Sequence, residues 1–347
     1  MKKKLVLFLL FLILVGFSVF YFWGIYLPQN PSSEKEVIFN IEKGQGSKEI
    51  AFNLKKEGLI KSTILFRIYA FNRGAAGNLQ AGAYSLSPTM NVPQIIEKLA
   101  KGEVIKEKII IIEGWNLRDI GWYFEGRGMF QAEELFELVG FPMIDYSKTT
   151  DLPQPKDFSQ EFEFLRDKPQ NLGLEGYLFP DTYEMAKEAT LEEIVKKMLN
   201  NFDKKFTPEL REKVETQGKS IFEIITMASL IEKEVQTYED KKLISGILWK
   251  RLKIGMPLQV DATITYITGK KTTKVSIEET QIDSPYNTYK CRGLPLGPIC
   301  NPGLESITAA LYPEDSDYWY YLSTPDGETI FSKTLEEHNY AKSKYLR

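Results

Sequence analysis

Three glutamates stand in the segment Ser220 to Val235, SIFEIITMASLIEKEV. Read as a helix at roughly 100° per residue, Ile221, Ile224, Ile225, Ala228, Ile231 and Val235 form an apolar stripe. Glu232 falls inside that stripe, about 20° from Ile221, whereas Glu223 and Glu234 fall on the opposite face. Ala228 and Ser229 leave space beside it. A carboxylate on an apolar face costs free energy unless it is paired or protonated. Desolvation raises its pKa, which is what a general acid needs near neutral pH. The other reading of the same pattern is a buried Glu paired with Arg or Lys.

Composition removes several alternatives. The chain of 347 residues holds one His and two Cys, too few for a zinc site built from those ligands. A Ser-His-Asp or Cys-His mechanism would need His338 as its base; a capping or hydrogen-bonded structural role is the other reading of that residue. No G-x-G-x-x-G or G-x-x-x-x-G-K-[ST] occurs, so no dinucleotide or phosphate-loop cofactor is expected. Lys and Arg number 44 against 47 Asp and Glu, too even a balance for nucleic-acid binding.

The elements that must position Glu232 begin with a membrane segment. Leu5 to Leu27 carries no charge, and a helix of that length spans about 34 Å, against about 30 Å of hydrocarbon. Lys2, Lys3 and Lys4 precede it, which places the N-terminus in the cytoplasm and the rest outside. The run is too long and its far end (Phe20, Tyr21, Phe22, Trp23, Tyr26) too bulky for a cleaved signal peptide. Residues 28–36 read as a polar linker. From Val37 the pattern is strand, turn at Gly44, then a helix with Ser47 as N-cap, an apolar face of Ile50, Ala51 and Leu54, and a stop at Gly58. Ile41, Gly44, Ile50, Leu54, Gly58 and Phe66 match Ile111, Gly114, Ile120, Phe124, Gly128 and Phe136 at one offset of 70 positions. This is the signature of a repeated β-α unit. Between the copies the pattern gives a strand near Ala81 to Leu86 and a helix near Val92 to Ala100. Residues 146–170, rich in proline and charge, read as a second linker.

Longer motifs then make the chain recognisable. ASLIEKEV (Ala228 to Val235) resembles the ASxxEKE signature of the YceG-like endolytic murein transglycosylases. LEGYLFPDTY (Leu174 to Tyr183), LQVDATITY (Leu258 to Tyr266), SPYNTYKCRGLPLGPICNPG (Ser284 to Gly303) and FSKTLEEHNYAK (Phe331 to Lys342) resemble that family's further motifs, in its order. Ala262, where the family usually has Pro, and the pair Cys291 and Cys300 depart from it. The resemblance implies an α+β protein: cytoplasmic tail 1–4, transmembrane anchor 5–27, a sugar-binding LysM-like region at 37–145, and a mixed α+β catalytic domain at 171–347 with a Glu-bearing helix. It implies a lytic transglycosylase that cuts the MurNAc-GlcNAc bond of nascent peptidoglycan strands, leaving 1,6-anhydro ends and ending glycan elongation. A hydrolytic muramidase using Glu175 or Asp181, or a non-catalytic wall-binding scaffold, are the competing readings.

By the same resemblance Glu232 is the catalytic residue. One carboxylate suffices because the nucleophile is the substrate's own C6 hydroxyl. Glu175 is expected either to contact sugar or orient Glu232, or to serve as a cap. Gln259, Asn287 and Tyr289 offer amide and ring contacts to substrate, although Asn287 and Asn301 are equally suited to shaping turns. No metal and no cofactor are implied. The partners are glycan strands, with peptidoglycan synthases in their neighbourhood. The location is a cell membrane, single-pass, with the catalytic part outside. Tyr318 to Tyr321 reads as a buried strand. Cys291 and Cys300 flank a Pro- and Gly-rich loop outside the membrane and are expected to form a disulfide, with two free buried thiols as the alternative.

Overall fold

The computed structural model describes residues 2–270 and 275–346; Met1, which opens the expected cytoplasmic tail, lies outside them. Helices and strands are mixed, and contacts divide the chain into two units: Met1–Ile109 with Glu184–Ala189, and Ile110–Tyr183 with Thr190–Arg347. Residues 146–170 lie within the second unit.

The first unit starts with α1 (Lys2–Ile25). Its stretch Lys3–Ile25, whose most apolar 18 residues have mean hydropathy 2.9, is long and apolar enough to cross a membrane. Then come β1 (Val37–Ile41), α2 (Ser47–Lys56), α3 (Thr63–Asn72), β2 (Gly82–Leu86), α4 (Val92–Lys101) and β3 (Lys106–Ile110). β1 and β2 pair antiparallel, with Val37 opposite Leu86 and Ile41 opposite Gly82. The helices bury Ile50, Leu54, Phe66, Ile95 and Leu99 against Phe39 and Tyr84. Complete burial of a side chain such as Phe66 or Leu54 contributes about 1.5–3 kcal/mol. α4 fits its place by local chemistry: Asn91 and Gln94 form a capping box, and Gly102 ends the helix in the left-handed region at φ 67°.

The second unit holds α5 (Leu117–Gly126), α6 (Ala132–Val139), β4 (Thr182–Ala186, of which Thr182 and Tyr183 belong here), α7 (Leu191–Lys205), α8 (Pro208–Thr216), α9 (Ile221–Glu232), α10 (Tyr238–Lys253), α11 (Asp261–Thr268), α12 (Leu304–Leu311), β5 (Tyr320–Ser323), β6 (Thr329–Ser332) and α13 (Leu335–Tyr345). β3 pairs with β4 and β5 with β6. α9 is its central helix. Every residue from Ile224 to Ile231 is buried, so α9 has no single apolar stripe and is enclosed on all sides. It packs against α12, α10 and α8.

The element positions follow the same offset. α2 and α5 occupy positions separated by the offset of 70, and each is followed by a second helix, α3 or α6. Ile41 and Ile111, Ile50 and Ile120, and Leu54 and Phe124 are buried. Gly44, Gly58, Gly114 and Gly128 all have positive φ, the backbone state that glycine adopts without steric cost. Phe66 is buried, its counterpart Phe136 only partly.

Three local expectations are corrected. The N-cap of α2 is Gly46, with no side-chain cap, and Ser47 is already helical. The strand at Tyr320–Ser323 is half-exposed; Lys250 and Arg251 cover its rings, with Nζ 4.3 Å from the Trp319 centroid and the guanidinium 5.2 Å from that of Tyr320. Cys291 and Cys300 are free thiols. Each donates to a different carbonyl, Cys291 to Ser284 O and Cys300 to Ser229 O, and burial pushes the Cys300 thiol well up.

Candidate active site

Glu232 is the last residue of α9. That helix starts at a capping box between Ser220 and Glu223, which accounts for Glu223 without any chemistry. The neighbouring chain is fixed at Ser229: its Oγ accepts from Ile299 N at 3.0 Å, so the PICNPG segment runs along α9. This brings Gly303, the N-cap of α12, to Glu232. Gly303 N donates to Glu232 Oε2 at 3.0 Å and Ser306 Oγ donates to the same oxygen at 2.6 Å. The carboxylate thus sits on the N-terminus of α12, where backbone N–H groups and the helix dipole favour negative charge. Its other oxygen, Oε1, lies 3.6 Å from Lys241 Nζ on α10, and the side chains of Lys241 and Glu232 are 4% and 9% exposed. Lys241 also lies 3.9 Å from Glu305 Oε2. The surroundings of Glu232 are therefore polar and paired with a lysine, not the apolar seat that the helical wheel suggested.

Glu175 is buried at 7% exposure and accepts from Leu117 N at 3.1 and 3.2 Å and from Tyr266 Oη at 3.0 Å. Asn301 Nδ2 lies 3.4 Å away. Burial pushes its pKa up to about 8 despite these donors. Leu117 opens α5, so Glu175 caps that helix. The expected sugar contact is corrected, and so is its use as a hydrolytic base, because the carboxyl is enclosed by its own partners. Asp181 accepts from Asn201 Nδ2 at 2.9 Å and from Thr182 N at 2.7 Å.

Asn287 is also corrected. It is fully buried, its amide donates to Thr280 O and Ile282 O, and its Oδ1 accepts from Tyr289 N. Asn301 is likewise structural, joining Leu178 N to Trp115 O. Gln259 differs. It is exposed, and it is one of two non-glycine residues with positive φ (54°) among the described residues, a strained state that is commonly found at functional sites. Its backbone N–H donates to Thr288 O at 3.1 Å, which ties the LQVDAT and SPYNTY segments together. Tyr289 is half-exposed, and its hydroxyl donates to Asp261. Burial, then Asp261, raises its pKa.

Glu234 lies two residues beyond the end of α9, so the wheel does not govern it. It is hydrogen-bonded to Tyr321, and burial, reinforced by Asp261, pushes its pKa up to about 7. Lys241, Ser306, Gly303 and Asp261 escaped the sequence reading. Only Gly303 and Asp261 lay inside motifs that had been singled out. His338 stacks on Tyr320 at 5.3 Å, and burial lowers its pKa to about 4; it is a packing residue. Among the described residues no group of His, Cys, Asp and Glu could hold a metal ion. A cavity of about 620 Å³ opens beside α5 and α6, lined by Arg118, Trp122, Gln131, Phe136 and Phe141.

Comparison with known proteins places these motifs. Residues 39–344 match the model of the YceG-like family. The chain is 35% identical to the endolytic murein transglycosylase of Bacillus subtilis, across 96% of this chain and 91% of that protein. It is 31% identical to the endolytic murein transglycosylase of Streptococcus pneumoniae serotype 2, across 97% of this chain and 64% of that protein. A crystal structure of a YceG-like protein from Listeria monocytogenes superposes with TM-score 0.59 at 33% identity, covering 89% of this chain and all of that one.

Proposed function

The chain belongs to the YceG-like family, and on that premise we propose that it is an endolytic murein transglycosylase with Glu232 as its catalytic acid and base. Protonated Glu232 gives its proton to the oxygen that links MurNAc C1 to the next sugar. The C1–O bond breaks and its electron pair stays with that oxygen. The C6 hydroxyl oxygen then attacks C1, and its proton returns to Glu232, so no water is consumed. The observation that carries this reading is the placement of the Glu232 carboxylate on Gly303 N and Ser306 Oγ, facing Lys241. These partners hold the side chain in one orientation through donation and return of the proton.

Gln259 and Tyr289 are the substrate contacts in this proposal. The two β-α-α copies act as LysM-like modules for glycan, supported by the aromatic- and Arg-lined cavity beside α5 and α6. α1 is a single-pass anchor, with the catalytic unit on the far side of the membrane from Lys3 and Lys4. Digestion of purified sacculi tests the enzyme reading. The parent should release fragments with 1,6-anhydro ends, and Glu232→Gln should release none. Reducing ends in their place would mean hydrolysis.

A further inference from the structure

The turn of the second β-α-α copy carries a carboxylate that the mechanism above does not use. Gly114 N donates to Asn301 O at 3.0 Å, and Asn301 N donates to Trp115 O at 2.8 Å. This pair of backbone bonds fastens the Glu113–Trp115 turn to the segment that ends at Gly303. The Glu113 carboxylate consequently rests on Gly303, in the volume that a methyl group on that residue would fill. Gly303 is the residue whose N–H holds Glu232. Nothing in the backbone of Gly303 itself calls for glycine, since its φ is −74°. The bare Cα leaves room for Glu113.

Glu113 is exposed. Among the described residues its carboxylate makes no hydrogen bond or ion pair. Partial burial and then the charge of Glu232 push its pKa upward, with Lys241 opposing. A carboxylate held unpaired beside another is unfavourable in the empty protein, and such arrangements concentrate at functional sites.

We propose that Glu113 is a second catalytic carboxylate, which meets the sugar whose bond Glu232 breaks and stabilises the positive charge that develops there. This deepens the transglycosylase reading and rests on it. Once the C1–O electron pair has left with the departing oxygen, C1 and the ring oxygen share a positive charge until the C6 hydroxyl closes on C1. Glu232 has then given up its proton and is turned toward Lys241. Glu113 makes no ion pair among the described residues, so its charge is left to face the ring. No bond forms to Glu113 and no proton is assigned to it.

Steady-state kinetics of anhydro-end formation on isolated glycan strands tests the idea, using the full chain and its Glu113→Gln, Gly303→Ala and Glu232→Gln variants. Glu113→Gln should lower kcat roughly 10–100-fold while KM stays within about twofold. Gly303→Ala, which displaces the carboxylate without removing it, should give a comparable loss. A kcat for Glu113→Gln within about twofold of the parent, or a change confined to KM, would overturn the proposal. Anhydro ends from the parent and none from Glu232→Gln show that the underlying reading holds whatever Glu113 does. Their absence from the parent would defeat that reading first.

Discussion

The β-α-α element from Val37 to Asn72 and the one from Lys106 to Val139 share apolar positions and turn glycines, yet they are finished differently. A side chain at Gly44 would point into open space, whereas one at Gly114 would touch Glu232 and Lys233, each at 3.6 Å. Before these glycines stand Lys43 in the first copy and Glu113 in the second. α2 starts at Gly46 without a side-chain cap. α5 starts at Asn116 with a capping box to Asp119, and Glu175 accepts from its first N–H. The shared apolar positions build the element. The residues that differ tie the second copy to the carboxylate of α9.

The strongest way to break this contrast is at Glu232 itself. Glu232→Gln should lower anhydro-end formation by about 10²–10⁴-fold with an unchanged unfolding midpoint. Substantial residual cleavage would remove Glu232 from the mechanism, and with it the meaning of the contact at Gly114.

Next is the cap that only the second copy has. Glu175 has an ordinary pKa of 4.5 and a folded value of about 8. The native state therefore binds more protons at Glu175 than the unfolded chain does across that interval, so this group's contribution to stability is fully present below pH 4.5 and is lost as pH rises towards 8. The loss should amount to a few kcal/mol. Glu175→Gln should flatten that slope, as read from urea midpoints across pH. An equal slope in parent and variant would show that Glu175 does not titrate there.

Smaller effects separate the helix starts. Asn116→Ala should cost about 1 kcal/mol, and Ser47→Ala should cost close to nothing because its hydroxyl caps no helix. Equal losses in the two, by chemical denaturation, would erase the distinction. Last come the turns. Gly44→Ala and Gly114→Ala should each cost about 1 kcal/mol through the positive φ. Only Gly114→Ala should also slow catalysis, by a few-fold, in the sacculus assay. A matching loss from Gly44→Ala would point to general destabilisation.

Much of this was legible in the residue order, because it depends on near neighbours along the chain. The span of α1, the offset of 70 between α2 and α5, the turn glycines, and the helix that carries Glu232 all follow from periodicity, backbone sterics and length. The same logic failed at Glu234, since a wheel has no meaning beyond the end of a helix, and at Ser47, where the cap fell one residue earlier. It also failed for the cysteines. A Pro- and Gly-rich loop permits closure but does not say which carbonyl each sulfur will meet.

Periodicity reports that a residue is buried and is silent about what buries it. The sequence determined that Glu232 would be held in the interior of a helical layer. The tertiary structure alone decided that its neighbours would be Lys241 and, 74 positions away, Ser306. Asn287 and Gln259 looked alike as amide side chains in adjoining motifs. Packing spent every polar atom of the first on Thr280, Ile282 and Tyr289 and left the second exposed. A polar group's role is set by which donors and acceptors reach it across space. Those partners come from segments whose order in the chain carries no record of their distance.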